Sequence, residues 1–352
     1  MTRSSITPIK ILVMALPIGL VLLGALSFVF YLRNQSKLEG ADSQNNEIAI
    51  MLRKKIDQAS LEATIRTLSD TLGPRSVETH DTLQAAASFL ESSLGRMNMG
   101  YAVERQSYEV EGKMFHNLIA ELPGTSKSEE VLVVGAHYDT AGSTPGADDN
   151  ASGVAVLLAV AHAMTGTENE RTVRFVAFTN EEPPFFHTEQ MGSRVYARSC
   201  VVRGDNIVGM LCLESLGYFD DKEESQEYPQ GIDAESMGYP SAGNFIAVVG
   251  NETSSRLVDA VVTHFNAEPR KVPAIGAALP SLMPWVNASD HWSFWQEDIQ
   301  AVMITDTAPL RNPNYHLPGD TIETLDLACL TEVAEGVELV VRQLANPDEG
   351  MR

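Results

Sequence analysis

Acidic and imidazole side chains gather in one short stretch, residues 131–153. His137 and Asp139 close an apolar, β-branched run, and Asp148 and Asp149 precede a run of small and aliphatic residues. Three carboxylates would repel one another unless a cation lay among them. Imidazole together with carboxylate is a ligand set that suits zinc. The stretch therefore indicates a metal site, and the alternative is a solvated loop whose aspartates cap a helix and set turns.

Two further strand-like runs also end in acidic residues. Residues 171–179 become fully apolar and lead to Glu181 and Glu182, and residues 206–213 lead to Glu214. The carboxyl ends of parallel strands in an open α/β sheet form the edge where ligands bind. We therefore expect the acidic ends of these runs to meet, which favours a metal site over a solvated loop.

The elements that must position these residues alternate between helical and strand spacing. Helices are predicted over residues 47–72, 82–97, 151–164, 192–200, 252–265, 291–295 and 325–344, and strands over residues 101–108, 117–122, 131–136, 171–179, 206–213, 245–249 and 299–305. Residues 220–244 are acidic and rich in Gly, Pro and Ser, and are predicted to be an irregular insertion. The pattern predicts one three-layer α/β/α domain around a mixed, mostly parallel sheet.

The start of the chain differs from the rest. Residues 11–32 form an uncharged apolar run, which at ~1.5 Å per residue is long enough to cross a membrane. We predict a flank over 1–10, a transmembrane signal anchor over 11–32, a polar tether over 33–46, a catalytic domain over 47–346 and a tail over 347–352. The membrane is then a partner of the N-terminal helix, and the catalytic domain is periplasmic or extracellular. Cleavage of the run or a cytoplasmic orientation is the alternative.

Composition excludes one class of partner. The 352-residue chain has a net charge of -22, so it offers no basic stripe to neutralise phosphates, and nucleic acid is not expected as a partner. Cys200, Cys212 and Cys329 are isolated in sequence and form neither a metal motif nor a disulfide framework. We expect them to pack as small buried residues.

Together the acidic and histidine motifs resemble those of the M28 family of metallopeptidases, the dizinc aminopeptidases. The resemblance covers roughly residues 60–345. The matching segments are His137-Tyr138-Asp139, residues 146–153, Glu181-Glu182, Glu214, Ser289-Asp290-His291 and residues 315–321. Each motif alone is weak, but their order and spacing together are specific.

The resemblance implies two zinc ions. Asp149 would bridge them, and His137 and Glu214 would complete the ligands of one ion. Glu182 and His316 would complete the ligands of the other. The family commonly carries Asp where Glu214 stands, and Glu has the same chemistry on a side chain one methylene longer.

The resemblance also implies a reaction, the removal of the first residue from peptide substrates with a free N-terminus. Glu181 would be the general base for a water activated by the metals. Asp139 would orient His137, as metal-bound imidazoles require. Two alternatives are a glutaminyl cyclase-like enzyme with one zinc ion and a non-catalytic binding ectodomain of the same fold.

Several residues near the motifs have two interpretations. Asp148 fits a helix-start or loop residue better than a metal ligand. Asp290 and His291 either support the ligands or substrate, or begin a helix whose cap is Asp290. Arg311 and Tyr315 either contact the substrate near the reacting oxygen or serve the loop that contains them.

Overall fold

The structure is a computed structural model that describes residues 54–347. The anchor predicted over residues 11–32 and the tether that follows it lie outside the described residues and stay predictions. Across residues 54–347, no helix combines the length and the apolar character needed to cross a membrane.

The described residues contain one mixed sheet, with the strand order β1-β2-β4-β3-β5-β8-β6-β7. The strands are β1 (Val103–Val110), β2 (Lys113–Leu122), β3 (Lys127–His137), β4 (Arg171–Phe178), β5 (Asn206–Glu214), β6 (Ile246–Gly250), β7 (Ala274–Ala278) and β8 (Ala301–Thr305). The central strands β4, β3, β5 and β8 run parallel, as do β6 and β7. The other three pairs are antiparallel. The predicted mixed sheet is confirmed, with its parallel part at the centre.

Helices cover both faces of the sheet. The α-helices are α1 (Gln58–Arg66), α2 (His80–Leu94), α3 (Gly153–Met164), α4 (Gly192–Arg203), α5 (Ser255–Phe265), α6 (His291–Trp295) and α7 (Leu327–Ala345). Apolar residues of α1, α2, α3, α5 and α7 form one core with the sheet, and residues of α4 and α6 form a second core on the opposite face. The three-layer architecture is therefore confirmed.

The apolar run in strand β3 is continuous because both faces of the strand are covered. Leu132 and Val134 belong to the larger core, and Val131 and Val133 belong to the smaller one. Because neighbouring residues of a strand point to opposite faces, a strand covered on both sides needs apolar residues at every position. The run thus places its last residue, His137, at a buried and well-supported strand end.

Two elements of the described residues differ from the sequence prediction. The helix predicted from residue 47 begins, among the described residues, only at Gln58, because the Asp57 side chain accepts a hydrogen bond from the Ser60 amide at 3.1 Å and caps the helix there. Strand β7 was not predicted. Its sequence is mostly Ala and Gly, and four of its five residues are partly or fully exposed at the edge of the sheet, so it lacks the usual strand pattern.

Two other predictions are confirmed. Residues 220–244 form neither helix nor strand apart from a single bridge between Asp220 and Gly243. The cysteines Cys200, Cys212 and Cys329 are all buried and free.

Candidate active site

The candidate ligands lie where neighbouring parallel strands end. Strand β3 ends at His137, β5 ends at Glu214, and β4 leads into Glu181 and Glu182. Because β4, β3 and β5 are adjacent and parallel, their carboxyl ends meet at one edge of the sheet. Strand order alone therefore brings four candidate residues together.

The first group of ligand atoms consists of His137, Asp149 and Glu214. His137 Nε2 lies 3.2 Å from Asp149 Oδ1 and 3.2 Å from Glu214 Oε2. All three side chains are buried. They are the three residues that the family resemblance assigns to one zinc ion.

The second group consists of Asp149, Glu182 and His316. His316 Nε2 lies 3.0 Å from Asp149 Oδ2 and 3.3 Å from Glu182 Oε1. Asp149 thus contributes one carboxylate oxygen to each group, which is the arrangement expected of a bridging ligand. The His316 side chain is 35 % exposed, so the centre opens to solvent on this side.

Buried polar atoms test whether these groups fit metal ions. Among the described residues, both ring nitrogens of His137, Asp149 Oδ1 and Glu182 Oε1 are buried without a hydrogen-bond partner. Buried polar atoms of folded proteins are nearly always paired. Imidazole nitrogens and carboxylate oxygens are ligands that zinc accepts. The residues present therefore fit metal ions at both groups.

The pKa values of the site residues show that negative charge is in excess at the centre. Burial, with repulsion from Asp149, raises the pKa of Glu182 to about 7. Burial also raises the pKa of Glu181 well above its ordinary value, and repulsion from Glu182 and Glu214 adds to it. Burial favours a low pKa for His316, but its contacts with Asp149 and Glu182 outweigh burial and raise the pKa to about 10. Cations at the centre would relieve this repulsion.

Asp139 supports the centre in two ways. Its Oδ1 lies 3.5 Å from His137 Nδ1, beside the ring that it was predicted to orient. It also accepts hydrogen bonds from the backbone amides of Glu181, at 3.2 Å, and Glu182, at 3.0 Å. The second contact was not predicted, and it fixes the loop that carries both glutamates.

Glu181 is close to the centre but belongs to neither ligand group. Its Oε2 lies 3.9 Å from His137 Nε2, and the side chain is buried. Asn180 before it has a φ of 59°, a left-handed conformation that Asn tolerates. This turn breaks the strand alternation, so that the adjacent side chains of Glu181 and Glu182 both lie at the centre.

Two serine hydroxyls hold Glu214. Ser215 Oγ donates to Glu214 Oε1 at 2.9 Å, and Ser289 Oγ donates to Glu214 Oε2 at 2.6 Å. The sequence assigned neither serine a role, although Ser289 lies in a motif that carries the family resemblance. Together they restrain a side chain that is longer than the Asp common at this position.

Asp148 belongs to neither group. Its Oδ1 accepts a hydrogen bond from the Gly217 amide at 2.9 Å, and its Oδ2 accepts one from Asn312 Nδ2 at 2.8 Å. It lies in the helical turn Ala147–Ser152 that leads into α3, and so is a helix-start residue and not a member of the ligand groups, in agreement with the prediction. Asp320 accepts hydrogen bonds from the amides of Asp148, at 2.8 Å, and Asp149, at 3.2 Å, and so holds the backbone of the shared ligand. Asp320 lies in a matching motif, but the sequence assigned it no role.

Arg75 is a further support that the sequence did not predict. Its side chain is fully buried and donates to five backbone carbonyl oxygens, those of Leu68, Gly73, Tyr138, Pro145 and Gly146. Burial lowers the pKa of Arg75 to about 10, and the carboxylates of Asp139, Asp320 and Asp149 oppose this effect. Arg75 therefore stays charged at neutral pH and ties the loop before the shared ligand to Leu68 and Gly73, which follow helix α1.

The structure distinguishes between the two interpretations given above for Asp290, His291 and Tyr315. Asp290 lies at the N-cap position of α6, but its side chain makes no capping hydrogen bond. Its carboxylate is buried, and burial together with repulsion from Glu214 raises its pKa to about 7. His291 is also buried, and its Nε2 contacts the Val286 carbonyl oxygen at 2.8 Å and none of the candidate ligands. The ring of Tyr315 stacks on His316 at 3.9 Å, so Tyr315 lies at the centre.

Comparison with known proteins decides the family. The sequence pattern of peptidase family M28 matches residues 117–341. The uncharacterized protein YfbL of Escherichia coli (strain K12) is 38 % identical over 285 residues, which cover 79 % of this chain and 85 % of YfbL. The chain belongs to peptidase family M28. It is therefore a hydrolase of the peptidase class, and zinc is the metal that the family implies.

Other M28-like proteins have related sequences and folds. Leucine aminopeptidase 1 of Trichophyton rubrum is 26 % identical over 243 residues, which cover 65 % of this chain and 58 % of the fungal protein. The zinc aminopeptidase BSAP of Bacillus subtilis superposes with a TM-score of 0.67 at 15 % identity, over 84 % of this chain and 97 % of BSAP. At that identity the structural likeness shows a common fold.

Proposed function

We propose that the protein is an aminopeptidase that uses two zinc ions to remove the first residue from peptides with a free N-terminus. The observation that carries this proposal is the pair of ligand groups that share Asp149. His137 and Glu214 would hold one ion with Asp149, and Glu182 and His316 would hold the other. Bound zinc supplies Lewis-acid chemistry, which polarises the scissile carbonyl and lowers the pKa of water.

Glu181 supplies proton transfer. It is buried beside the centre without being part of either ligand group. Its raised pKa suits a carboxylate that takes a proton from the attacking water and gives it to the leaving amine. The contacts of Asp139 with the amides of Glu181 and Glu182 keep the base and the neighbouring ligand in place.

Two observations favour this function over its alternatives. A cyclase-like enzyme with one zinc ion needs a single ligand group, whereas both groups are complete here. A non-catalytic ectodomain has no need for the ligands or the base, yet all six side chains are present and converge.

The test is Glu181→Gln in the full chain, measured with free-amine and N-acetylated dipeptides and with zinc content. We expect about two zinc ions per wild-type chain and chelator-sensitive cleavage of free-amine substrates alone. Glu181→Gln should lower kcat by about 10²- to 10⁴-fold, the usual contribution of a general base, and leave the zinc content unchanged. Glu129→Gln, at an exposed residue, is the matched control. Wild-type turnover in Glu181→Gln would remove Glu181 from the mechanism, and one zinc ion without peptide cleavage would favour the cyclase.

A further inference from the structure

The loop between strand β4 and helix α4, residues 180–191, carries the candidate base Glu181 and the candidate ligand Glu182. The two ends of this loop meet, because the Gly192 amide donates a hydrogen bond to the Thr179 carbonyl oxygen at 2.8 Å. A Cβ atom at Gly192 would lie 2.2 Å from that oxygen, so the close approach requires glycine. Thr179 and Gly192 therefore form a narrow neck that closes the loop.

Asn117 of strand β2 holds this neck. Its side chain is fully buried. Its Oδ1 accepts a hydrogen bond from the Thr179 amide at 3.2 Å, and its Nδ2 donates to the Gly192 carbonyl oxygen at 2.8 Å. Nδ2 also donates to Gln106 Oε1 of strand β1 at 2.8 Å. The neck is thus tied to both strands of the β1–β2 hairpin.

Tyr108 of strand β1 links the two ends of the loop beyond the neck. Its hydroxyl donates to the Gln190 carbonyl oxygen at 3.1 Å and accepts a hydrogen bond from Asn180 Nδ2 at 3.2 Å. Burial raises the pKa of Tyr108, so the hydroxyl keeps its proton and remains a donor. Because Asn180 directly precedes Glu181, one hydroxyl joins the residue before the base to the far end of the loop.

A third contact between hairpin and loop is aromatic. The buried ring of Phe185 packs edge-on against Phe115 of strand β2, with the ring centroids 5.7 Å apart. In the hairpin Tyr108 pairs with Phe115 and Gln106 pairs with Asn117. Side chains of directly paired residues, and of every second residue along a strand, lie on the same face. One face of the hairpin therefore holds the loop at its neck, at its ends and through Phe185.

The two glutamates of the loop depend on these contacts to different degrees. Glu182 belongs to a ligand group with Asp149 and His316, so a bound ion would itself hold its carboxylate. Glu181 belongs to neither group, and Asp139 holds only its backbone amide. The position of the Glu181 carboxylate therefore depends on the conformation of the loop. A displacement of about 1 Å in a catalytic group can cost about 10²-fold in rate.

We propose that the β1–β2 hairpin positions the general base, and that the hydroxyl of Tyr108 is the group through which it does so. The inference rests on the proposed aminopeptidase function with Glu181 as the base. Tyr108 is a positioning residue, since it belongs to neither ligand group and acts through Asn180 and Gln190. The hairpin at the edge of the sheet is then part of the catalytic apparatus, although among the described residues it supplies no candidate ligand.

The test is Tyr108→Phe in the full chain, which removes the hydroxyl and keeps the ring. We expect kcat to fall about 10-fold or more, and equally for the dipeptides Leu-Ala and Ala-Ala, because a displaced base slows the reaction of any substrate. KM should change less than twofold, and zinc content should not change.

Tyr101→Phe is the matched control. The Tyr101 hydroxyl also donates to a backbone carbonyl oxygen, that of Ala161 at 2.7 Å, but this partner lies in helix α3 and not in the loop. The control loses the same kind of hydrogen bond, so it shows what the loss of a tyrosine hydroxyl does to folding alone. We expect its kcat to change less than twofold.

Asn180→Gly tests the same link from the other side. Glycine keeps the left-handed backbone at this position and removes only the side chain that donates to Tyr108. We expect a fall in kcat similar to that of Tyr108→Phe. Because both substitutions break one link, the double variant should lie within about twofold of the slower single variant.

The outcomes separate the two proposals. If the wild type cleaves no free-amine dipeptide, the aminopeptidase function fails and this inference falls with it. If dipeptides are cleaved but Tyr108→Phe and Tyr101→Phe alter kcat equally, only the role of the hairpin is overturned. The same holds if Tyr108→Phe raises KM at unchanged kcat, if it lowers the zinc content, or if its effect adds fully to that of Asn180→Gly.

Discussion

The metal centre and the apolar pocket are held together differently. At the centre, charged side chains from the ends of adjacent parallel strands are fixed by buried polar groups, among them Asp139, Asp320 and Arg75. The apolar pocket beside Glu214 is built from alternate residues of strands β6, β7 and β8 and from residues of the irregular segment 220–244, which Gln226 and Arg311 hold in place. The difference suggests that the centre determines the reaction and the pocket determines which substrates undergo it. Variants of the two regions should then change different quantities.

The largest effect is expected from Asp149→Asn, which removes the negative charge shared by both ligand groups. Zinc content after dialysis should fall at both groups, because a neutral amide is a weaker ligand that balances no cationic charge. We expect kcat/KM to fall about 10³-fold or more, and equally for Leu-Ala and Ala-Ala, since the reaction itself is lost. Asp259→Asn, at an exposed residue of α5, is the control. A loss confined to Leu-Ala would contradict the division between the two regions.

A smaller effect is expected from Arg75→Met, which tests the support beneath the centre. The substitution removes hydrogen bonds to five backbone carbonyl oxygens, of which those of Leu68 and Gly146 keep a second donor, the amides of Gly73 and Ala151. Each buried carbonyl left without a donor costs about 1–3 kcal/mol before the structure relaxes. We expect the free energy of unfolding, measured by urea denaturation, to fall by about 3 kcal/mol or more.

Arg66→Met is the matched control for Arg75→Met. Arg66 is half-exposed and pairs only with surface carboxylates, and such pairs contribute about 0–1 kcal/mol. Equal losses of stability in the two variants would mean that Arg75 does not support the centre.

More residues of the metal centre than of the pocket could be predicted from the sequence, for physical reasons. His137, Glu182 and Glu214 follow apolar strand runs directly, so local pattern and the rule that parallel strand ends meet were sufficient to find them. His316 lies far along the chain in an irregular loop, and only the family resemblance pointed to it. Arg75 could not be found, because its partners are backbone carbonyls of several segments, which no residue pattern records.

The pocket could not be predicted for a related reason. Its floor takes every second residue of three short strands, one of which, β7, has no strand-like composition. One wall is the segment 220–244, whose polar composition correctly predicted the absence of regular structure. That composition gave no indication that Tyr228 and Ile232 line the pocket. Residues brought together only by tertiary packing leave no periodic signal in the sequence.

The smallest expected effect is that of Gln226→Ala, which tests how far the two regions are independent. The variant loses the contacts of Gln226 with Thr307 and Arg311, so the irregular wall should loosen while the ligand groups stay intact. We expect kcat/KM for Leu-Ala to fall about threefold to 10-fold, corresponding to about 1 kcal/mol for a side-chain contact. Ala-Ala should change less than twofold, and zinc content should not change. Gln190→Ala, at an exposed residue, is the control. Equal losses for both dipeptides would mean that the irregular segment also supports the metal centre, and reaction and selectivity could not then be assigned to separate parts of the domain.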